Sequence, residues 1–144
     1  MLLGSNSAKD VLIKTDQEKY ELSLDKYRSC LTSTLALAVQ KPIISQSYDD
    51  FIPYTEMLMK SDLNIVEVSV FNIDGTYLAN INKGNTTKNG QKASSDLLQI
   101  LNTTENLSKN KTADNKYSDY LAPVKIGRSK FGTVLIRFES ISPK

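Results

Sequence analysis

Six polar side chains on the predicted strands could together hold a small charged ligand. They are Glu67, Ser69, Asn80, Tyr117, Asp119 and Arg137. Because successive side chains of a strand point to opposite faces of a sheet, their positions place all six on one face. The planar guanidinium of Arg137 suits a carboxylate, the carboxylate of Asp119 suits an ammonium group, and Tyr117 could form a wall. The set therefore predicts a binding site for an amino acid or another small carboxylate.

A second interpretation of the same residues needs no ligand. Glu67 and Arg137 lie on strands that we expect to be neighbours. Opposite charges on neighbouring strands often pair directly, and such a pair would be structural. The sequence leaves both interpretations open.

The composition argues against catalysis and against cofactor or metal binding. The 144 residues contain no histidine and one cysteine, Cys30. This removes the commonest general base, the commonest metal ligand and any disulfide within the chain. We expect Cys30 to be a buried thiol in a helix. The 18 basic residues are scattered and the net charge is +2, so nucleic-acid binding is not expected. We therefore expect a protein that is not an enzyme and uses no cofactor and no metal.

A long helix is expected at the start of the chain. No proline or glycine interrupts residues 8–41, and apolar residues recur there at spacings of three, four or seven. This pattern predicts one amphipathic helix that Pro42 ends. Its first half carries a narrow apolar stripe made of Ile13, Tyr20, Leu24 and Tyr27. Heptad-like spacing is typical of a two-helix seam, so we expect a parallel homodimer along this helix. Packing of the stripe on its own domain is the alternative.

The rest of the chain predicts a second helix followed by an antiparallel sheet. Ser47 is a candidate N-cap for the second helix, which runs to about Ser61. Strands are expected at residues 65–71, 76–82, 117–126 and 131–140, with a short edge strand within 103–115. A short helix should begin after Ser94 or Ser95 and end near Asn102. The fold class is therefore α+β, with a sheet of about five strands preceded by a long N-terminal helix and a second helix.

Alternation along the strands gives the sheet two different faces. The apolar face should lie under the two long helices and consists of Val66, Val68, Val70, Ala122, Val124, Val134, Ile136 and Phe138. The opposite face mixes apolar residues with the six candidate site residues. The short helix at 94–102 has an apolar stripe of its own, and we expect it to cover this second face together with the loop at 83–92. A cavity between them would be the default form of a small-ligand site.

Three segments carry a resemblance to a known family. They are Ile65–Gly75, a strand that ends in an Asp-Gly turn; Tyr120–Val124, a strand with a small-residue, proline, aliphatic step; and Gly132–Ile136, a final strand. Their order after a long helix resembles the PAS-like sensor modules called Cache (PDC) domains. The resemblance covers residues 8–140 as a single domain and implies a PAS-like antiparallel sheet. Residues 1–7 and 141–144 are then expected to be tails, the second leading towards a transmembrane segment.

The resemblance also implies a role. Cache domains lie outside the inner membrane of bacteria or archaea, in receptors whose cytoplasmic part is a histidine kinase, a cyclase or a chemoreceptor signalling domain. They sense a small molecule and displace the helices next to the membrane. The expectation is therefore an extracytoplasmic ligand-sensing domain of a membrane-anchored receptor. A ligand-independent dimerisation or interaction domain with a PAS-like fold is the alternative.

Overall fold

A computed structural model describes the backbone of residues 5–84 and 86–140, and the side chains of these residues from residue 16 onward. The chain divides between Leu31 and Thr32 into two units. Helix α1 spans Ser5–Ala38 and therefore begins within the predicted tail at 1–7. The predicted tail at 141–144 lies outside the described residues, and the single-domain span of 8–140 stays a prediction.

The predicted dimer stripe lies on the first part of α1. Tyr20 and Tyr27 are 61% and 45% exposed, and Leu24 is half-buried. The side chain of Ile13 lies outside the described residues. The seam stays a prediction. Cys30 is exposed, so the expectation of a buried thiol was wrong; helical spacing alone did not identify which face of α1 carries it.

Pro42 lies inside a helix, although the sequence predicted that it would end one. Helix α1 stops at Ala38, four residues before it, because proline has no N–H to donate to that carbonyl and its ring crowds it. A second, short helix, α2, then spans Gln40–Ser45. Pro42 falls in its first turn, where helical N–H groups have no partner within the helix.

Helix α3 spans Phe51–Ser61 after a short 3₁₀ turn at Tyr48–Asp50. It packs on the first two strands of the sheet and buries Phe51 and Leu58 there. Ile52 and Met57 of the same helix are exposed.

Five strands form one antiparallel sheet. They are β1 at Ile65–Asn72, β2 at Tyr77–Asn82, β3 at Ser108–Lys111, β4 at Tyr117–Ile126 and β5 at Ser129–Glu139. Their order across the sheet is β2-β1-β5-β4-β3, and every pairing is antiparallel. The predicted α+β, PAS-like fold with a long N-terminal helix and a second helix before the sheet is confirmed, and the short helix α2 lies between those two.

The apolar face of the sheet forms the main core. Buried side chains of β1, β4 and β5 lie there, among them Val68, Val124 and Ile136. A β-bulge between Ile65 and Glu67 shifts the register. As a result Ile65 is fully buried, whereas Val66, predicted for this core, lines a cavity next to Glu67.

The Asp-Gly turn between β1 and β2 supports a further helix, α4, at Ser95–Thr103. Gly75 has a φ of +86°, and a Cβ on it would collide with the Leu98 side chain of α4. The carbonyl of Gly75 also accepts a hydrogen bond of 2.9 Å from the N–H of Ala93, just before α4. Ser94 caps the helix by accepting from the N–H of Leu97 at 3.3 Å, as the sequence predicted.

Gly75→Ala should lower the free energy of unfolding by about 2–4 kcal/mol, because alanine is strained at this φ and its methyl group would displace Leu98. Gly90 is the matched control, because it has a φ of +83° but a Cβ on it would meet no other atom within 4 Å. Gly90→Ala should therefore cost only about 1–2 kcal/mol. Urea unfolding of both variants measures the difference. Equal losses of unfolding free energy would show that close packing of α4 on the turn does not contribute to stability.

Candidate functional site

Helix α4 covers part of the second face of the sheet. Leu101 is buried there with Phe71, Tyr77, Leu121 and Leu135, and the half-buried Leu97 and Ile100 pack against them. The rings of Phe71 and Tyr77 are 4.4 Å apart at their centroids. The expectation that α4 would lie over this face is confirmed, because its apolar stripe had no other surface to bury it.

A polar row crosses all five strands beside this apolar cluster. In register, from β2 to β3, it consists of Asn82, Glu67, Arg137, Asp119 and Asn110. Three of the six predicted site residues are therefore direct neighbours on adjacent strands. Side chains directly opposite each other in antiparallel strands have Cβ atoms about 5 Å apart, so neighbouring members of the row lie close together.

Arg137 pairs with Asp119 in a bidentate geometry. Its Nε donates to Asp119 Oδ1 at 2.7 Å and its Nη2 donates to Oδ2 at 3.0 Å. The pair occupies two of the five guanidinium N–H groups and leaves Nη1 uncommitted to Asp119. Hydrogen bonding to Asp119 raises the pKa of Arg137 above its ordinary value, against the opposing effect of burial. The Tyr117 ring lies 5.5 Å from the guanidinium carbon and stacks beneath it.

Glu67 is the second buried carboxylate of the row and pairs elsewhere. Its Oε2 accepts from Asn80 Nδ2 at 2.9 Å, from Ser69 Oγ at 3.3 Å and from Lys88 Nζ at 3.4 Å. Asn80 Nδ2 also donates to Ser69 Oγ at 2.8 Å. Ser69 and Asn80 thus hold the Glu67 carboxylate in place by donating hydrogen bonds to it. The direct Glu67–Arg137 pair that the sequence left open is replaced by two separate pairs.

A cavity of about 620 Å³ lies between the polar row, α4 and the loop at 83–92. Of the six predicted residues, Glu67, Asp119 and Arg137 line it. Its other walls are Tyr77, Lys88, Gln91, Lys92, Ser94, Asp96, Leu97, Ile100, Asn110, Lys111, Thr112, Ala113 and Leu135. A cavity of this size fits a small organic molecule.

Tyr117 lines a separate, smaller cavity. This second cavity measures about 390 Å³ and also contains Val66, Asn82 and Glu139. Glu67 and Lys88 line both cavities, so their contact stands at the boundary between the two.

Tyr77 and Lys88 are wall residues that the sequence did not single out. Strict alternation in β2 would place Tyr77 on the opposite face from Asn80, three residues later. A register shift near Phe71 brings both to the same face, and bulges of this kind leave no clear sequence signal. Burial and the charge of Glu67 raise the pKa of Tyr77. Lys88 lies in a loop whose course the sequence pattern could not supply.

Lys130 fixes the far end of α4. Its Nζ donates to the carbonyl oxygens of Leu101 at 2.7 Å and Thr104 at 2.8 Å. Leu101 lies in the last turn of α4 and Thr104 is its C-cap residue, and the carbonyls at a helix C-terminus attract cations. Burial lowers the pKa of Lys130. Because Lys130 belongs to β5, the strand that carries Arg137 also holds the helix that covers the cavity.

The site offers groups that could contact a small polar molecule. It offers paired charges, amides, hydroxyls and one aromatic ring around a cavity, and its carboxylates already accept several hydrogen bonds. Within residues 5–84 and 86–140, no group of three or more His, Cys, Asp or Glu side chains could hold a metal ion. No helix in the same described ranges is both long enough and apolar enough to cross a membrane.

Two solved structures share this α+β, PAS-like fold. The chain is similar to the extracellular domain of a predicted histidine kinase, with a TM-score of 0.68 and 12% identity over 96% of this chain and 61% of that one. It is also similar to a domain of a sensory box/GGDEF family protein from Vibrio parahaemolyticus, with a TM-score of 0.58 and 10% identity over 94% of this chain and 60% of that one. The chain thus spans about three fifths of the length of each structure. No protein-family model and no curated protein matches the sequence.

A double-mutant cycle on Asp119 and Arg137 should give a coupling of about 1–3 kcal/mol, because removing either partner leaves the other charge partly buried. The exposed pair of Lys83 and Glu139, at 3.8 Å, is the matched control and should give less than about 1 kcal/mol. For each pair, the two single alanine variants and the double variant are made, and their free energies of unfolding are measured in urea. Equal couplings would contradict the buried character of the Asp119–Arg137 pair.

Lys130→Met should loosen the C-terminal turn of α4 and reduce stability by about 1–2 kcal/mol, since two helix carbonyls lose a charged donor. Hydrogen exchange of the α4 amides should accelerate more than exchange in β1. Lys109→Met, at an exposed lysine of β3, is the control. Unchanged α4 exchange in Lys130→Met would show that Lys130 does not hold the helix.

Proposed function

We propose that this chain is the small-ligand-sensing domain of a membrane-anchored signalling receptor. The observation that carries the proposal is the cavity between the polar row and α4. A sheet face covered by a short helix, with two buried carboxylates and a guanidinium left beside it, is a concave polar site of the size that small ligands use. The fold shared with the two sensor structures supports the same role.

The proposed ligand is a small zwitterion such as an amino acid, or another small carboxylate. Nη1 of Arg137 supplies donors for a carboxylate, since the pair with Asp119 uses the other edge of the guanidinium. Asp119 then acts by orienting Arg137. Leu97, Ile100 and Leu135 supply the apolar wall for a side chain or carbon skeleton. Ser69 and Asn80 act through Glu67, and Tyr117 through Arg137.

The proposed location is extracytoplasmic, in a receptor whose cytoplasmic part is a histidine kinase, a cyclase or a chemoreceptor domain. One of the two similar structures is an extracellular domain of a predicted histidine kinase, which supports this placement. Ligand binding would bias the receptor between two states by its differential affinity for them. The displacement would pass from the cavity through β5 and the leading helices.

A second candidate function is dimerisation that needs no ligand. It is favoured by Tyr20 and Tyr27, which expose large aromatic surfaces on α1 in the heptad-like stripe with Ile13 and Leu24. We propose a parallel homodimer through this helix in either case. Under the second function, replacing Tyr20 and Leu24 by glutamate would abolish the activity of the parent receptor, whereas changes in the cavity would not.

A thermal-shift screen of the purified domain tests the sensing function. The panel contains amino acids, small carboxylates, small amines and purines. A compound present at 100 times its dissociation constant should stabilise the domain by about 2.7 kcal/mol, a rise of several degrees in the unfolding midpoint. Glu67→Gln should reduce the shift, because it removes a charge from the cavity wall.

Glu105→Gln is the matched control for that substitution. Glu105 also pairs with a lysine, Lys125, at 3.6 Å, but it lies outside the cavity. Glu105→Gln should therefore leave the ligand-induced rise in the unfolding midpoint unchanged. A panel with no stabilising compound would favour the dimerisation function, and a shift that both variants retain would move the binding site away from this cavity.

A further inference from the structure

Lys88 lies where an ammonium group of a ligand would bind. Its Nζ is 3.4 Å from Glu67 Oε2 and 5.7 Å from the centroid of the Tyr77 ring. A carboxylate and an aromatic face are the two protein groups that recognise an ammonium most directly. Both line the 620 Å³ cavity. The cavity therefore contains a complete ammonium subsite, and the chain's own lysine occupies it.

The contact that Lys88 makes is a weak one. At 3.4 Å it is longer than the roughly 2.8 Å of a well-formed ammonium–carboxylate hydrogen bond. The Lys88 side chain is 39% exposed, whereas that of Glu67 is only 11% exposed. A pair with one partner in solvent contributes little to stability. Lys88 can therefore leave at small cost, while Glu67 keeps its bonds from Asn80 and Ser69.

We propose that Lys88 is an internal competitor, and that the cavity selects ligands bearing an ammonium group because only a cation can take its place on Glu67 and Tyr77. The inference rests on the proposed sensing function and specifies its ligand. The exchange replaces one cation by another, so Glu67 stays neutralised throughout. A ligand that carries only a carboxylate cannot make this exchange and must bind beside an occupied subsite.

The loop around Lys88 is built so that the exchange stays local. Asn82 Nδ2 donates to the carbonyl of Thr86 at 2.6 Å, and the N–H of Tyr77 donates to the carbonyl of Gln91 at 2.8 Å. Lys88 lies between these two anchors. Its displacement therefore moves only the short segment between Thr86 and Gly90, whose N–H donates to the carbonyl of Tyr77 at 2.8 Å, and leaves the strands paired.

The test uses n-butylammonium, which reproduces the lysine side chain beyond its Cα. Its dissociation constant is measured by NMR titration, with the amides of Gly90 and Gln91 as local reporters. Lys88→Ala should bind it about fivefold more tightly than the unsubstituted domain, because the subsite is then empty and the weak contact of Lys88 does not have to be broken. Lys88→Arg keeps a cation there and should bind it no more tightly. Lys88→Ala combined with Glu67→Gln should lose the gain.

Lys92→Ala is the matched control for charge. Lys92 lines the same cavity, so its removal changes the local charge equally but leaves Lys88 in the subsite; it should alter the affinity less than threefold. Equal gains in Lys88→Ala and Lys92→Ala, or no gain in Lys88→Ala, would overturn the proposal. Unfolding midpoints of all variants verify that each is folded.

The inference and the sensing function fail in different ways. Tight binding of n-butylammonium to Lys88→Ala, with no compound of the screen binding the unsubstituted domain, would uphold the subsite and refute the sensing function. A screen that yields only carboxylates without an ammonium group would uphold sensing and overturn the competitor.

Discussion

The structure around the site depends on the pairing of charges on a covered sheet face. Alternation along a strand places residues at even spacings on one face. Glu67 therefore lies on the same face as Phe71, four positions later, and Arg137 lies on the same face as Leu135, two positions earlier. Helix α4 buries the apolar part and leaves the charged part at its edge. Charges that lose water must be paired or neutralised. Asp119 forms a bidentate ion pair with Arg137. Glu67 accepts hydrogen bonds from Asn80, Ser69 and the loop residue Lys88. The cavity is the space that this arrangement leaves open.

The cover of the cavity is tied to the sheet at both ends. Gly75 allows Leu98 to approach the β1–β2 turn closely, and Lys130 on β5 holds the last turn of α4. Under the proposed sensing function, a small movement of α4 would reach the β1–β2 turn and β5, the strand that also carries Arg137. Packed elements with few fixed contacts can shift between discrete arrangements, which is the physical basis of a displacement-type signal.

Much of this could be predicted from the sequence, because hydrophobic periodicity and turn residues act locally. The element order, the Ser94 cap, the two faces of the sheet and the covering role of α4 followed from alternation and from one unburied apolar stripe. The residues that lie on a different face from the predicted one do so because of β-bulges, which leave no recognisable pattern in the sequence. The bulge beside Ile65 moved Val66 out of the core, and the bulge near Phe71 brought Tyr77 into the site. The partner of Arg137 depended on strand order, and Lys88 reached Glu67 through a loop whose path only the folded chain determines.

The most direct test of the cavity as the sensing site is to locate a bound ligand by NMR. The best compound from the stabilisation screen is titrated into isotopically labelled protein, and amide shifts are mapped on the fold. We expect the largest changes around the cavity, at Gln91, Leu97 and Asn110, with small changes on the other side of the sheet. A second groove is lined by Leu37, Leu107 and Pro123. Largest changes there would contradict this, because the ligand would then bind away from the polar row and α4.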